Sequence, residues 1–242
     1  TMEARGPEGS GESVEDHIVM GMGRLAVSDV EGGGQPLLSR DGQVVAFQNG
    51  EIYNHVALRR ELEQQGAVFR TASDTEVLAH GYDHWGIDGL LAKLDGMYAI
   101  AILDRRNQQL HLARDRFGEK PLYYSATGNK FAYSSNTKAL ALLPWVDCDI
   151  AAGSVDRYLA LHYVPGRRTI FKGIQRVLPG ERLTVSLRSL TLHHERYYRS
   201  AVRPIAPVDT RTLLDRIEQA VTSRLVADVP VGVFLSGGID SS

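Results

Sequence analysis

Two groups of residues combine types and spacing suited to chemistry. Ser236-Gly237-Gly238-Ile239-Asp240-Ser241-Ser242 directly follows the apolar run Val231 to Leu235. Glycines after a buried strand let backbone N–H groups close on a phosphate, and the serine hydroxyls add donors, so Leu235 to Ser242 is a candidate anion cradle. It lacks the Gly-Lys-Ser/Thr ending of a Walker A loop. The second group is Arg24, Asn49-Gly50-Glu51 and Asp74. A guanidinium suits a carboxylate, and two carboxylates suit an ammonium, which together are the charged ends of a free amino acid. The Asn49 side chain and the Gly50 N–H could serve as oxyanion donors to an amide carbonyl under attack. Taken singly, each residue has a plainer role. Asn-Gly is a common tight-turn dipeptide, Arg24 a solvated charge, and Asp74 a helix-capping group.

The elements that must position these groups follow from the pattern. His17 to Met22 is a short apolar stretch, and Gln43 to Gln48 carries the Val-Val-Ala-Phe run of a second strand. Asn49-Gly50 is expected to turn the chain. Asn54 then caps a helix with Val56, Leu58 and Leu62 on its apolar face, ending at Gly66. Ser73-Asp74-Thr75-Glu76 has the form of a capping box, so a further helix starts there and runs to about Trp85, with Asp74 at its first turn. Met97 to Leu103 is an unbroken apolar run of strand length, expected to be covered on both faces. Gln109 to Ala113, Leu122 to Ser125 and Lys130 to Ser134 follow as an antiparallel meander with turns at Gly118 and Thr127-Gly128-Asn129. The order gives an α+β class, two packed sheets flanked by helices. After Pro204 and Pro207, Leu213, Leu214, Ile217, Val221 and Leu225 recur at helical spacing, and a second domain begins. Pro230 ends that helix and Val231 to Leu235 is expected as a buried strand. The boundaries are 1–200 and 205–242.

Composition narrows the function classes. The 242 residues are 43% hydrophobic with a formal net charge of -2 and interspersed charges, so no basic stripe awaits a nucleic-acid backbone. No apolar run approaches the roughly 18 residues needed to cross a bilayer, and the first residues given lack the charged-then-apolar order of a signal peptide. A membrane partner is therefore not expected, and a cytoplasmic location is. The single cysteine, Cys148, forms no internal disulfide and offers no thiolate cluster. It lies between Asp147 and Asp149, whose charges disfavour a thiolate. His80 and His84 are four apart, but with no third ligand they are assigned to a solvated helix face, and no metal site is expected. Trp85 and Trp145 are assigned to packing.

An ordered series of motifs resembles the glutamine-hydrolysing asparagine synthase family. Arg5-Gly6-Pro7-Glu8-Gly9, Arg24-Leu25, Asn49-Gly50-Glu51-Ile52-Tyr53-Asn54 and Ser73-Asp74-Thr75-Glu76 are followed by Arg114-Asp115-Arg116-Phe117-Gly118-Glu119-Lys120-Pro121-Leu122-Tyr123-Tyr124, Thr169-Ile170-Phe171-Lys172-Gly173 and Ser236 to Ser242. The last has the form of the pyrophosphate loop of enzymes that split ATP into AMP and pyrophosphate. The resemblance implies a four-layer αββα N-terminal-nucleophile glutaminase, then the start of an α/β synthetase domain of the adenine nucleotide α-hydrolase type. It implies that Arg24, Leu25, Ala26, Val27, Ser28, Asn49, Gly50, Glu51 and Asp74 hold glutamine, with Asn49 and Gly50 as the oxyanion hole. It implies that Leu235, Ser236, Gly237, Gly238, Ile239, Asp240, Ser241 and Ser242 hold ATP. ATP with Mg2+ would activate aspartate or a related carboxylate as an acyl-adenylate for attack by ammonia, and a homodimer is a state the resemblance allows.

The sequence also departs from the family pattern. The family's nucleophile is an N-terminal cysteine that these residues do not include, so the chain as given is expected not to hydrolyse glutamine. Thr1 is a poor substitute, because no apolar strand follows it, although N-terminal threonines can act as nucleophiles. Ala4 stands where histidine is usual, Glu8 where aspartate is usual, and Asn136-Thr137 follows Ser135 where Glu-Ile/Met is common. Two other classes compete: an amidotransferase with a different partner domain, against which the Ser-Gly-Gly loop argues, and a non-catalytic glutaminase-like binding module.

Overall fold

The computed structural model describes residues 6, 8–15, 17–25, 27, 29–200 and 209–239. Its centre is a six-stranded sheet in which β4 (Val44–Ile52), β5 (Gly96–Asp104) and β6 (Gln109–Arg114) pair antiparallel. The outer strands on one side are β10 (Glu181–Ser186) and β11 (Leu192–Arg196), and on the other the short β3 (Leu37–Leu38). The apolar run at 97–103 becomes the middle of this sheet and is covered on both faces. Tyr98, Ile100 and Ile102 pack on one side while Ala99, Ala101 and Leu103 pack on the other, the period-2 alternation of a strand between two layers.

The first face is closed by α1 (His55–Gln64) and α2 (Glu76–Lys93), through Leu58, Leu62, Val77, Leu78, Leu90 and Leu91. The second face packs on β2 (Ile18–Gly23), which pairs with β1 (Ser10–Glu15), and on a three-stranded sheet of β8 (Lys130–Ser134), β7 (Tyr123–Thr127) and β9 (Gln175–Arg176). The short helix α3 (Thr137–Ala141) places Leu140 with Val146 and Ile174 against the outer side of that second sheet. The layers are therefore helix, sheet, sheet, helix. A further helix, α4 (Ala152–Leu161), has only Ser154 buried.

Several local expectations are corrected. Asn49-Gly50 does not turn the chain. Both residues continue β4, opposite Ala99 and Tyr98. Gly50 has φ 141°, and a Cβ there would lie 1.9 Å from the Met97 carbonyl oxygen, so the glycine serves a close strand–strand approach rather than a hairpin. The meander is also broken, since β6 stays in the central sheet and β7 crosses to the other. The reason lies at the turn between them. The buried Asp115 carboxylate accepts hydrogen bonds from the N–H groups of Phe117, Gly118, Glu119 and Lys120 at 2.6–3.1 Å, while Arg114 donates to the carbonyls of Gly118, Lys120 and Val177. That knot redirects the chain away from the β6 plane.

Asn54 precedes α1, but its side chain bonds the Lys93 carbonyl and the Asp95 N–H instead of capping the helix, and Val56 on the expected apolar face is exposed. No capping box forms at 73–76 either. Glu76 reaches the Arg70 and Thr71 N–H groups, tying down the loop before α2. The helix is interrupted at Gly86 (φ 65°), next to the expected end at Trp85, and resumes to Lys93. His80 is buried against Phe69 and Glu76 rather than solvated.

The segment after 208 behaves differently. Asp209 caps α5 (Thr210–Thr222), accepting a hydrogen bond from the Thr212 N–H, and the helix buries no residue. Its stripe of Leu213, Leu214, Ile217 and Val221 is exposed, and Val231 to Leu235 forms no strand among the described residues, with Phe234 fully exposed. An apolar run becomes a strand only where another backbone offers a ladder, and no described segment lies alongside this one.

Candidate functional site

Between the two sheets runs a cleft of about 800 Å3. Arg24, Leu25, Val27, Asn49, Gly50, Glu51 and Asp74 all line it, although they come from β4, the loop after β2 and the turn before α2. Ala26 and Ser28 lie outside the described residues.

Each side chain has a local reason for its position. Odd-numbered residues of β4 face the second sheet, as Val45 and Phe47 show by packing there, so Asn49 and Glu51 share that face. Asp74 approaches from the helix side. Its Oδ2 accepts hydrogen bonds from the Ile52 N–H and the Gln48 amide, both at 2.8 Å, which fixes one oxygen of the carboxylate on the strand. Gln48 is itself clamped, because the Gln35 amide group donates to the Gln48 carbonyl and accepts from the Gln48 N–H. Glu51 is half-buried, and burial first, then the nearby Asp74 charge, raise its pKa above the usual carboxylate value, with Lys120 opposing them.

Arg24 is engaged by its own loop. Its guanidinium donates to the carbonyls of Asp29 (2.6 Å) and Val30 (3.0 Å). The Asp29 carboxylate in turn accepts from the N–H groups of Gly32 and Ala72, tying the loop to the turn that carries Asp74. The C-terminal segment closes on the same loop: the Asp228 N–H donates to the Val27 carbonyl at 3.0 Å, and the Asp228 carboxylate accepts from the Asp29 N–H at 2.7 Å.

Leu235 to Ile239 do not join the cleft and are exposed. Gly237 has φ 73° and the Ser236 hydroxyl accepts from the Gly238 N–H at 3.3 Å, so this loop presents backbone and hydroxyl groups of the kind that suit a phosphate. Asp240, Ser241 and Ser242 lie outside the described residues. No group of three or more His, Cys, Asp or Glu side chains gathers at a metal-binding separation among the described residues. Cys148 is half-buried beside the Ala141 carbonyl and does not line the cleft.

Sequence reasoning missed Gln35, Gln48, Lys120 and Ser135, which also line the cleft. A glutamine in an otherwise apolar buried run was a signal for Gln48. Lys120 sits in a quoted motif, yet its position at the cleft depends on the Asp115 knot.

Comparison with known proteins decides the family. Residues 1–198 match the glutamine amidotransferase domain, and residues 212–242 match the asparagine synthase family. The chain belongs to the glutamine amidotransferase domain family. It is 36% identical over 241 residues to asparagine synthetase [glutamine-hydrolyzing] 1 of Bacillus subtilis (strain 168), covering 98% of this chain and 38% of that protein. It is 37% identical over 261 residues to a putative asparagine synthetase [glutamine-hydrolyzing] of Mycobacterium tuberculosis (strain ATCC 25618 / H37Rv), covering 100% of this chain and 40% of that protein. The chain thus spans about two fifths of the length of these relatives. Among solved structures, glutamine phosphoribosylpyrophosphate amidotransferase from B. subtilis shares 26% identity with a TM-score of 0.52, over 75% of this chain and 35% of that one. The allosteric regulatory enzyme of purine biosynthesis gives 0.55 at the same identity and coverage. These neighbours support the N-terminal-nucleophile αββα sandwich. No helix among the described residues is long and apolar enough to cross a membrane.

Proposed function

We propose that this chain supplies the glutamine-binding part of a glutamine-hydrolysing, ATP-dependent amide synthetase of the asparagine synthase type. The convergence of Arg24, Asn49, Gly50, Glu51 and Asp74 on one cleft carries this reading. Arg24 pairs with the glutamine carboxylate, Glu51 and Asp74 with its ammonium, and Leu25 and Val27 line the same wall, while Ala26 and Ser28, assigned to glutamine by the resemblance, lie outside the described residues. Asn49 Nδ2 and the Gly50 N–H stabilise the oxyanion that forms when the amide carbonyl is attacked. No residue of the chain is assigned as the nucleophile.

Leu235 to Ser242 cradle the phosphates of ATP, which Mg2+ accompanies. At the second site the carboxylate of aspartate or a related acid displaces pyrophosphate from ATP to form an acyl-adenylate, and ammonia released at the first site attacks it, giving the amide and AMP. The 212–242 match supports this pairing over an amidotransferase with another partner domain.

The test is glutamate release from glutamine, together with pyrophosphate release from ATP with aspartate or other carboxylates, by the full-length protein. Arg24→Ala and Asp74→Asn are expected to raise the glutamine KM at least tenfold, and Asn49→Ala to lower kcat roughly 100-fold. Absence of pyrophosphate release with every carboxylate tried would overturn the synthetase half, and absence of glutamate release the glutaminase half.

A further inference from the structure

Asn49 Nδ2 donates a 2.9 Å hydrogen bond to Ser135 Oγ, across 86 residues of sequence. The bond spans the cleft. Asn49 belongs to the central sheet, while Ser135 follows the last residue of β8 in the opposite sheet, and both line the cavity. We propose that Ser135 is a positioning residue for the Asn49 oxyanion donor, an inference that rests on the role proposed above for Asn49.

The geometry of a primary amide gives the reason. Its two N–H bonds lie in one plane about 120° apart, and the terminal torsion of an asparagine side chain is broad and soft when nothing holds it. Committing one N–H to Ser135 therefore sets the direction of the other. Because Nδ2 carries two hydrogens, Ser135 does not compete with an oxyanion for the donor. A donor already aligned costs no reorganisation when negative charge develops, which is the source of oxyanion-hole catalysis.

Ser135 is held firmly enough to do this. On its N-terminal side lies the β7–β8 ladder, which pairs Ser134 with Tyr123. On its C-terminal side Asn136 caps α3, accepting from the Lys138 N–H at 2.9 Å, while the Asn136 N–H donates to Ser134 Oγ at 3.0 Å. Asn136 is one of the positions where the sequence departs from the family pattern. Here it fixes the backbone on which Ser135 stands.

The experiment is steady-state glutamine hydrolysis by full-length Ser135→Ala, Ser135→Thr, Asn49→Ala and the Asn49→Ala/Ser135→Ala double variant. Ser135→Ala is expected to lower kcat about tenfold with KM changed by less than about threefold, since a misaligned donor weakens the transition state and not the ground state. Ser135→Thr retains the hydroxyl and is expected to keep kcat within about threefold of wild type. The double variant is expected to match Asn49→Ala alone, because Ser135 acts only through Asn49. Equal losses in the Ala and Thr variants, or a double variant slowed by the product of the single effects, would overturn the proposal. So would an active wild type whose kcat is unchanged by Ser135→Ala. A wild type that releases no glutamate removes the glutaminase reading and this proposal with it, an outcome distinct from the others.

Discussion

The runs Val44–Phe47 and Val231–Leu235 are both short, apolar and followed within a few residues by glycine, yet they end differently. The first lies between β5 and β3, and its valines and alanine are almost fully buried. The second has no neighbouring strand among the described residues, and Val233 and Phe234 are 84% and 103% exposed. Hydrophobicity and β-branching mark a segment that will pack on a pleated surface if one is provided. The ladder partner and the opposite layer decide whether it does.

Hydrogen exchange gives the broadest test of that contrast. Amides of β5 are expected to be protected on the order of 10^4-fold more than those of residues 229–239, because the first open only with the sandwich. Comparable protection in the two stretches would show that the second run has found a partner.

A matched pair of glycine substitutions sharpens the comparison at single positions. Gly50→Ala places a Cβ against the Met97 carbonyl at a φ of 141°, and is expected to cost about 4 kcal/mol or to prevent folding. A Cβ at Gly232 meets nothing within 4 Å, and Gly232→Ala is expected to change stability by less than about 0.5 kcal/mol. Thermal or denaturant unfolding of both variants checks this. A tolerated Gly50→Ala would mean that β4 and β5 are farther apart than described.

The Asp115 knot is the next largest expectation. Asp115→Ala would leave the Phe117, Gly118, Glu119 and Lys120 N–H groups without their shared acceptor, and about 3 kcal/mol of unfolding free energy should be lost. Since the same turn carries Lys120 to the cleft, glutamine affinity should fall with stability. A loss of stability with unchanged binding would separate the turn from the site.

The buried polar cluster under α2 should make the sandwich acid-sensitive. His111 bonds Tyr82 and Thr184, and burial first, then the Arg182 charge, depress its pKa from 6.5 to about 4. The folded state therefore binds this proton less readily than the unfolded state does. Stability present above pH 6.5 is lost as pH falls toward 4, by about 2 kcal/mol from this group. Denaturant unfolding between pH 7 and 4 should show the loss, and His111→Gln should reduce its slope.

Much of the sandwich was legible in the residues. Val44–Phe47, Met97–Leu103 and the period of Leu58 and Leu62 announce two central strands and a packed helix because burial of those side chains dominates local preference. The Asn-Gly pair misled for a physical reason: a glycine needed for close backbone approach and one needed for a turn look the same in sequence. Arg24, Asn49, Glu51 and Asp74 were recognisable by type and by their ordered motifs. Gln48 left a trace as a glutamine at the end of an apolar run, but Lys120 and Ser135 left none, because nothing local distinguishes a polar residue that meets the cleft from one that meets solvent.

The sequence by itself determined the residue types available for binding an amino acid and a phosphate, the periods of the main core elements, and the order of the two regions. Only the tertiary structure decided that Asn49 and Gly50 lie within a strand, that Ser135 crosses from the opposite sheet to meet Asn49, and that Val231 to Leu235 pairs with no strand among the described residues. Those outcomes depend on contacts between segments far apart in the chain, and a local pattern carries no information about which backbone will arrive beside it.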